Sequence, residues 1–319
     1  MRIVISGAAG FIGSNLAERF CQDGHDVMGI DNTVTADPEN LRRLSAHRRF
    51  TFFEHDIVEP FSVDAPVELV CNLACPASPV DFDPLSIEIL RVCSEGTRNM
   101  LELARGKQAI FLHTSTSEVY VDPLVNPQPE SYWGNVNPIG RRSMYDEGKR
   151  YAEALITAYR ERYSMRVRIA RIFNTFGPGM RIDDGRVVTN FIMQALADEP
   201  VTMHGDGSQT RSFCYISDQV EGLVRLAQSD YDRPINIGNC DEIPIKMLAE
   251  EIVELTGSKS MLAFKPLPGD DPKVRRPDLS LARKVLKWNP VVSRREGLEH
   301  TIEYCRRRMG TLKARSRSA

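Results

Sequence analysis

The sequence RIVISGAAGFIGSNLAERFCQ, residues 2–22, decides the fold. Arg2 to Ser6 is a short apolar run that predicts a strand, and Ser14 to Gln22 has the apolar spacing of an amphipathic helix. Between them stand Gly7, Gly10 and Gly13. Glycines at such a junction let the chain turn sharply and bring its N–H groups up to a pyrophosphate at the positive end of the helix. The stretch therefore predicts a dinucleotide site, with a tight turn that binds nothing as the alternative.

Three further apolar runs, and the helical patterns between them, predict the rest of a sheet. They span 26–30, 50–53 and 67–73. Strands that alternate with helices form a doubly wound parallel sheet. Asp31 follows the first of these runs and stands 18 residues after Gly13 (31 − 13). A carboxylate near this spacing accepts hydrogen bonds from the adenosine ribose and repels a 2′-phosphate, which favours NAD over NADP.

The stretch from Thr114 to Lys149 carries the residues with catalytic potential. The apolar run 109–112 predicts a buried strand, and the hydroxyls from Thr114 to Ser117 follow it toward the edge where such sheets bind ligands. Tyr145 and Lys149 are four residues apart, so one helix projects them side by side. An ammonium near a phenol favours the phenolate, which makes Tyr145 a candidate base. Most Tyr–Lys pairs at this spacing lie on solvated helix faces, so the spacing alone is weak.

Composition sets the limits on function. The 319 residues are 42% hydrophobic and 26% charged, as in ordinary soluble enzymes, and a net charge of −2 gives no reason to expect nucleic acid. Seven cysteines without a CxxC pair or a nearby histidine at ligand spacing predict neither a metal site nor disulfides, which suits the cytoplasm. No run predicts a secretory signal or a membrane span. The basic, serine-rich segment 306–319 lacks apolar periodicity and predicts a flexible tail.

Four elements in order resemble the extended short-chain dehydrogenase/reductase superfamily. They are the glycine pattern, the acidic strand end, the hydroxyl-rich segment and the Tyr–Lys pair. Longer motifs, along the chain to about residue 305, resemble the UDP-glucuronate decarboxylases of that superfamily: NLACPASP (72–79), TSTSEVY (114–120), YWGNVNPIG (132–140), YDEGKR (145–150), RIFNTFGP (171–178), DDGRVV (183–188) and GDGSQTRSF (205–213).

The resemblance implies a Rossmann-type NAD-binding domain over 1–173 and about 205–239. A smaller carboxyl-terminal α/β lobe over about 174–204 and 240–305 would bind the sugar nucleotide. The catalytic residues implied are Thr116, Ser117, Glu118, Tyr145, Lys149 and Arg275. The cofactor contacts expected are Gly7, Gly10, Phe11, Ile12, Gly13, Asp31, Asn32, Asp56, Ile57, Leu73, Ala74, Tyr145 and Lys149. The substrate contacts implied are Pro76, Ser78, Tyr159, Asn174, Arg186, Arg211 and Arg275.

The implied reaction is the NAD-dependent decarboxylation of UDP-glucuronate to UDP-xylose through a 4-keto intermediate, with the cofactor regenerated in each turnover. Ser117 bears on this choice, because related 4,6-dehydratases carry an aspartic acid there and a serine is a poor general acid. Glu118 can instead be a buried structural carboxylate. Each arginine, taken singly, can be a surface ion-pair partner.

The chain also departs from the decarboxylase pattern. Val121 stands where a glycine is usual, and the segment from Thr33 to Pro38 lacks the glycine and the basic residue that relatives carry there. Ser86, Ile89 and Gly179 stand where relatives carry lysines or an arginine. Fewer cations near the ligand leave the identity of the sugar and nucleotide open. The catalytic set is unaffected.

Two other functions fit the same residues. A UDP-uronic acid 4-epimerase would share Thr116, Tyr145 and Lys149 but keep the carboxylate. A non-catalytic NAD-binding regulator would keep only the fold. The helices over 85–105 and 141–163 can pair between two subunits as a four-helix bundle, which predicts a homodimer, although amphipathic helices also pack within one chain.

Overall fold

The structure, a computed structural model, describes residues 1–266 and 274–316, with side chains up to residue 311. Its strands in chain order are Arg2–Ser6 (β1), Asp26–Asp31 (β2), Phe50–Glu54 (β3), Leu69–Asn72 (β4), Ile110–Thr116 (β5), Val167–Ile172 (β6), Thr175–Phe176 (β7), Val201–His204 (β8), Thr210–Ser212 (β9), Cys214–Tyr215 (β10), Pro234–Ile237 (β11), Glu242–Pro244 (β12), Leu262–Lys265 (β13) and Val274–Arg275 (β14).

The α-helices are Phe11–Gln22 (α1), Pro38–Leu44 (α2), Pro79–Phe82 (α3), Ser86–Arg91 (α4), Thr97–Lys107 (α5), Ser143–Tyr163 (α6), Val187–Leu196 (α7), Ile216–Gln228 (α8), Ile245–Thr256 (α9), Ser280–Leu286 (α10) and Arg294–Ser316 (α11). A π-helical turn, Val92–Gly96, joins α4 to α5, and a 3-10 turn, Ser117–Val119, follows β5.

Seven strands form the central sheet in the order β11-β6-β5-β4-β1-β2-β3, and every neighbouring pair is parallel. The chain direction across the sheet reverses between β1 and β4, so the edge at their carboxyl ends is the topological switch point where such sheets bind ligands. The predicted doubly wound parallel sheet is confirmed. The sequence placed β1 to β5 within a few residues of their observed bounds.

Helices cover both faces of this sheet. On one face α1, α8 and α10 bury apolar side chains such as Leu16, Leu223 and Leu286 against it. On the other face α5 and α6 bury Leu101 and Ile156. Burying one helical stripe against each face excludes water from the strands and stabilises the sheet.

A smaller α/β unit follows along the chain. Its core joins α7, α9 and α11 through Phe191, Ile252 and Leu298. Two short sheets belong to this part, one with the order β12-β9-β14 and one pairing β13 with β8. Strand β11 returns to the central sheet, as expected for 205–239. The domain boundaries themselves stay a prediction.

The segment from residue 306 differs from the flexible tail that its composition predicts. Helix α11 continues through it to Ser316, and residues 317–319 lie outside the described residues. Arg308 donates two hydrogen bonds to the carboxylate of Asp37, at 2.9 and 2.8 Å, and Arg306 donates one to the Thr256 carbonyl at 2.9 Å. These tertiary contacts hold a helix that apolar periodicity alone would not specify.

Within the described ranges, we find no helix that is both long and apolar enough to cross a membrane.

Candidate active site

A cavity of about 780 Å³ lies at the carboxyl edge of the sheet and reaches into the smaller unit. Its walls include the glycine turn after β1, the end of β5 and the first two turns of α6. Residues 172–175, from the end of β6 to the start of β7, and Arg275 of β14 close the other side. The cavity therefore lies at the switch point of the sheet, between the dinucleotide-binding pattern and the smaller lobe.

The glycine turn leaves room that side chains would fill. Gly7 has φ +72°, and a Cβ on it would lie 2.7 Å from the Ala74 nitrogen. A Cβ on Gly13 would overlap the carbonyl oxygen of Gly7. Helix α1 begins behind this turn without a side-chain cap at Gly10, so its positive end faces the cavity side. A backbone cradle at a helix N-terminus fits the pyrophosphate of NAD.

Asp31 ties this turn to the end of β2. One carboxylate oxygen accepts the Ala9 N–H at 3.0 Å, and the other accepts the Thr33 N–H at 2.8 Å. Burial raises the pKa of Asp31, while these backbone N–H groups lower it. The side chain thus already orders the loops on both sides of the adenosine position that the sequence predicts.

The strand end and helix α6 bring the predicted catalytic residues together. Thr116 and Tyr145 both line the cavity. Lys149 is buried, and its Nζ donates to the Thr114 carbonyl at 2.9 Å. Nζ lies 5.9 Å from the centre of the Tyr145 ring. The four-residue spacing on α6 therefore places the ammonium beside the phenol, as expected.

The pKa of Tyr145 differs from the expectation. Burial raises it to about 12, although Lys149 and the Thr116 hydroxyl both act to lower it. The ring is stacked on Phe82 with centroids 5.1 Å apart, which removes the water that would solvate a phenolate. One ammonium is therefore insufficient in this protein to bring the pKa below its ordinary value. A second positive charge at the site would lower the pKa of Tyr145 further and favour its role as a base.

Glu118 occupies the centre of a buried ionic cluster. Arg275 donates from Nη2 to Oε2 at 2.8 Å, and Arg142 donates from Nη2 to Oε1 at 2.8 Å. Burial acts to raise the pKa of Glu118, but Arg275, Arg142 and Arg211 hold it below its ordinary value. Nε of Arg275 is buried and bonds to no atom within the described part of the chain. That leaves a donor for an oxygen of a ligand.

Arg142 and Asp146 belong to this cluster, and the sequence analysis missed both. Asp146 is buried, and Oδ1 is without a hydrogen-bond partner in the described ranges. Burial and the Glu118 charge raise its pKa to about 8. Both residues lie within one helical turn of Tyr145 in sequence. That spacing could have identified them as candidate site residues.

The cavity wall contains most of the predicted site residues. They are Gly7, Gly10, Phe11, Ile12, Gly13, Leu73, Ser78, Thr116, Ser117, Glu118, Tyr145, Lys149, Asn174, Arg186, Arg211 and Arg275. Six others do not line it: Asp31, Asn32, Asp56, Ile57, Ala74 and Pro76. Ile57, for example, is buried in the core, where its side chain packs closely on Gly96.

Tyr159 does not line the cavity, and its contact with substrate stays a prediction. Its hydroxyl donates to Oε1 of Glu102 at 2.6 Å, and its ring packs against Tyr163. Tyr159 lies 14 residues beyond Tyr145 on the same helix (159 − 145), or about 21 Å along its axis. That distance carries it to the far end of α6.

The arginines expected at the sugar nucleotide line the cavity and have partners there. Nη2 of Arg186 donates to Asp184 at 2.7 Å, and Nη1 of Arg211 donates to the Thr210 carbonyl at 2.8 Å. Nη1 of Arg275 lies 3.4 Å from the Asn174 amide oxygen. Intraprotein acceptors thus hold these guanidinium groups in place at the wall.

Two departures from the decarboxylase pattern have structural causes. Ile89 is completely buried in the core beneath α5 and α6, where a lysine would lose its hydration. Gly179 has φ +96°, and a Cβ on it would lie 2.9 Å from the Asn15 amide nitrogen. Nη2 of Arg43 would be 3.7 Å from that Cβ, so α2 brings a cation to this place.

No group of three His, Cys, Asp or Glu side chains in the described ranges could hold a metal ion.

Comparison with known proteins places the chain among related enzymes. The NAD dependent epimerase/dehydratase family matches residues 3–238. UDP-glucuronic acid decarboxylase 6 of Arabidopsis thaliana is 50% identical over 314 residues, which cover 98% of this chain and 91% of that protein. UDP-glucuronic acid decarboxylase 1 of Danio rerio is 48% identical over 308 residues, covering 97% and 73%.

Among solved structures, the UDP-glucuronic acid 4-epimerase of Bacillus cereus, in complex with UDP-glucuronic acid and NAD, has a TM-score of 0.85 at 28% identity, with 96% of this chain and 99% of that chain covered. The UDP-glucose 4-epimerase of Thermotoga maritima has a TM-score of 0.88 at 26% identity, covering 97% and 100%. The resemblance to UDP-glucuronate decarboxylases is confirmed by the sequence relatives. This chain belongs to the NAD dependent epimerase/dehydratase family.

Proposed function

We propose that this protein converts UDP-glucuronate to UDP-xylose and CO₂, with NAD regenerated in each turnover. The observation that carries the proposal is the buried cluster of Glu118, Arg275 and Arg142 beside Tyr145. It supplies cations for a substrate carboxylate next to the Tyr–Lys pair. Two relatives support the same reaction. They are named UDP-glucuronic acid decarboxylases and are 50% and 48% identical to this chain over nearly its whole length.

The glycine turn and the end of β2 are the parts that would hold NAD. Backbone N–H groups at the start of α1 would hold the pyrophosphate, and Asp31 would lie toward the adenosine ribose. Lys149 would contact the nicotinamide ribose. Bound NAD would supply the hydride acceptor for C4 of the sugar and, once reduced, the hydride donor, and its positive charge would add to that of Lys149 in favouring the phenolate.

Tyr145 is the proposed base that takes the proton of the sugar 4-hydroxyl. Thr116 donates a hydrogen bond to the same oxygen and supports the charge that develops there. Lys149, fixed on the Thr114 carbonyl, stabilises the phenolate and orients the ring. Oxidation at C4 makes a β-keto acid, whose carboxylate leaves as CO₂ because its electrons flow into the new carbonyl. The resulting enolate takes a proton at C5. Return of the hydride to C4, with the proton held by Tyr145 going back to the C4 oxygen, then gives UDP-xylose.

Arg275 and Glu118 are proposed to govern the carboxylate. The free Nε–H of Arg275 can donate to a carboxylate oxygen of the substrate, while Glu118 and Asn174 hold the other guanidinium nitrogens. Ser117 lines the cavity where dehydratases of this superfamily carry an acid. A serine hydroxyl cannot readily protonate a leaving hydroxyl, which disfavours loss of water.

Proton NMR of the purified protein with UDP-glucuronate and a catalytic amount of NAD⁺ tests this proposal. UDP-xylose is the expected product. Formation of UDP-galacturonate would instead identify a 4-epimerase, and it would overturn the assignment of Arg275 and Glu118 to decarboxylation. Absence of either product, with NAD still bound, would overturn the choice of sugar.

We also propose that two copies pair through α4 and α6, as the sequence predicts. Three apolar side chains on these helices are exposed in one chain: Ile87 (62%), Leu90 (41%) and Tyr151 (51%). Leu90 and Tyr151 line one shallow groove together with Gly148. Two such faces would bury each other as a four-helix bundle.

The seven thiols of the structure support the predicted cytoplasmic location.

Light scattering on a size-exclusion column tests the pairing. The native chain is expected to elute with the mass of two copies, and Tyr151→Glu with the mass of one, because a carboxylate cannot be buried unpaired at the centre of the bundle. Val291→Glu is the matched control, since Val291 is 84% exposed in a loop away from these helices. A monomeric native chain would contradict the proposal.

A further inference from the structure

Two cysteines meet at the wall of the cavity. Cys75 follows β4 and lines the cavity, and Cys93 is buried in the π-helical turn between α4 and α5. Their Sγ atoms are 3.7 Å apart, although 18 positions separate them in sequence. The mechanism above uses neither thiol.

The surroundings give the two thiols different chemistry. A hydrogen bond from Cys93 and the charge of Lys149 lower the pKa of Cys75, although burial opposes them. The pKa of Cys93 is raised by its partner Cys75 and by burial. Cys75 is therefore the thiolate-forming, accessible member, and Cys93 is the protonated member behind it. Pairs of this kind, a reactive thiol with a second thiol in reach, are the ones that oxidise reversibly.

We propose that Cys75 and Cys93 form an oxidation site, where a hydroperoxide produces a reversible disulfide that switches off the neighbouring Tyr145–Lys149 pair. The Cys75 sulfur attacks the peroxide, the O–O bond breaks, and one oxygen leaves as water or alcohol. The Cys93 sulfur then displaces the hydroxyl of the resulting sulfenic acid as water, and the S–S bond forms. Two thiols are oxidised, and one hydroperoxide is reduced.

The disulfide would change the geometry at Lys149, and this consequence rests on the proposed function. A Cβ placed on Gly148, the residue before Lys149, would lie 3.1 Å from the Cys93 sulfur, so Cys93 already packs against α6. A disulfide holds its sulfurs about 2 Å apart. Its formation must therefore draw the loop after β4, which lines the cavity, toward the π-helical turn. Small displacements of this kind at a reacting centre are costly.

The other cysteines supply the contrast that the proposal needs. Cys71 and Cys214 are completely buried, and burial raises the pKa of both. Cys240 is partly exposed, but the group in contact with its sulfur is the Arg283 guanidinium, at 3.6 Å, rather than a second thiol. Oxidation of the reduced protein is thus expected to begin at Cys75. NAD bound against Lys149 would cover Cys75 and slow the reaction.

Treatment of the reduced protein with a small excess of hydrogen peroxide, followed by alkylation and peptide mass mapping, tests the site. A peptide that links Cys75 to Cys93 is expected, with loss of two hydrogens. The initial rate with UDP-glucuronate should fall roughly tenfold or more. Dithiothreitol should remove the link and restore the rate. Prior addition of NAD should slow formation of the link.

Matched variants separate this site from general oxidative damage. Cys240→Ser should form the link and lose activity as the native protein does. Cys93→Ser should form no link, and peroxide followed by dithiothreitol should leave its rate at its own untreated value. If that variant fails to fold, Cys75→Ser takes its place, and the mapping of the native protein needs no variant.

Two results would overturn the inference. One is oxidation of other cysteines without the 75–93 link, and the other is a fully linked protein with unchanged rate. If the protein proves inactive on UDP-glucuronate, the link and the affinity for NAD, measured by fluorescence titration before and after oxidation, still test the site. Failure of the proposed reaction is therefore distinguishable from failure of the oxidation site.

Discussion

Nη2 of Arg275 lies 2.8 Å from Oε2 of Glu118, joining two residues that are 157 positions apart in sequence. Both side chains are 9% exposed. The contact brings β14 of the smaller lobe onto the turn after β5 of the central sheet. In this account it positions the guanidinium group that receives the substrate carboxylate.

Replacement of Arg275 tests that role. Arg275→Ala should lower kcat/KM for UDP-glucuronate by about 10²–10³, the range typical of removing one buried, preorganised donor. Arg276→Ala is the control, because Arg276 is the next residue in sequence and its side chain, 3.7 Å from Glu242, is 39% exposed. Steady-state kinetics with circular dichroism of each folded variant makes the comparison. Equal losses in the two variants would contradict the role of Arg275.

The pH dependence of the reaction should reflect Tyr145. Its pKa is raised to about 12 in the ligand-free protein, so the phenolate fraction grows as pH increases. We expect kcat/KM to rise from about pH 6 to about pH 9. Lys149→Met should shift this limb to higher pH, because loss of the ammonium raises the pKa of the phenol further. If the rise of kcat/KM occurs at the same pH in Lys149→Met as in the native protein, Lys149 does not control the pKa of Tyr145.

Asp146 should make stability depend on pH. Its pKa is raised from the ordinary value to about 8, so the folded state keeps a proton that the unfolded state has lost between about pH 4 and about pH 8. Stability must therefore fall as pH rises through this range. Asp146→Asn should remove this loss of stability. Glu147→Gln is the control and should retain it, because the carboxylate of Glu147 is more exposed than that of Asp146. Melting temperatures at several pH values measure the difference, and parallel curves for all three proteins would contradict the assignment.

Thr33 adopts a backbone conformation that favours glycine. Its φ is +60°, and a β-branched residue is strained there. Thr33→Gly should be neutral or stabilise the protein by up to about 1 kcal/mol, because relief of strain offsets the greater freedom of the unfolded chain. Thr51→Gly, on the exposed side of β3, should destabilise it by about 1 kcal/mol. Urea unfolding measures the free energy of unfolding of both variants. A larger loss of stability in Thr33→Gly than in Thr51→Gly would show that Thr33 is not strained.

The elements that the sequence predicted well are those with local signals. The glycine turn, β1 and α1 follow from the alternation of apolar residues and glycines in 2–22. Helices α9 and α10, over 245–256 and 280–286, likewise lie where apolar spacing and flanking polar residues mark a helix. The positions of Thr116, Tyr145 and Lys149 at one cavity follow from strand direction and helix periodicity.

The features that sequence reasoning missed depend on tertiary contacts. The helical course of 306–316 is supported by Arg308 and the Asp37 carboxylate, which belongs to a loop some 270 positions away. Asp146 becomes unusual only because the fold buries it beside Glu118. Tyr159 lies at the far end of α6, and the resemblance that suggested its contact with substrate did not take account of the length of that helix.

Release of CO₂ distinguishes decarboxylation from 4-epimerisation. UDP-glucuronate carrying a carbon label in its carboxylate would be incubated with the protein and substoichiometric NAD⁺. We predict that labelled CO₂ and UDP-xylose appear in equal amounts over many turnovers, and that Tyr145→Phe, which still binds NAD, releases almost none. Label that stays in a nucleotide sugar while the protein turns over would contradict the account.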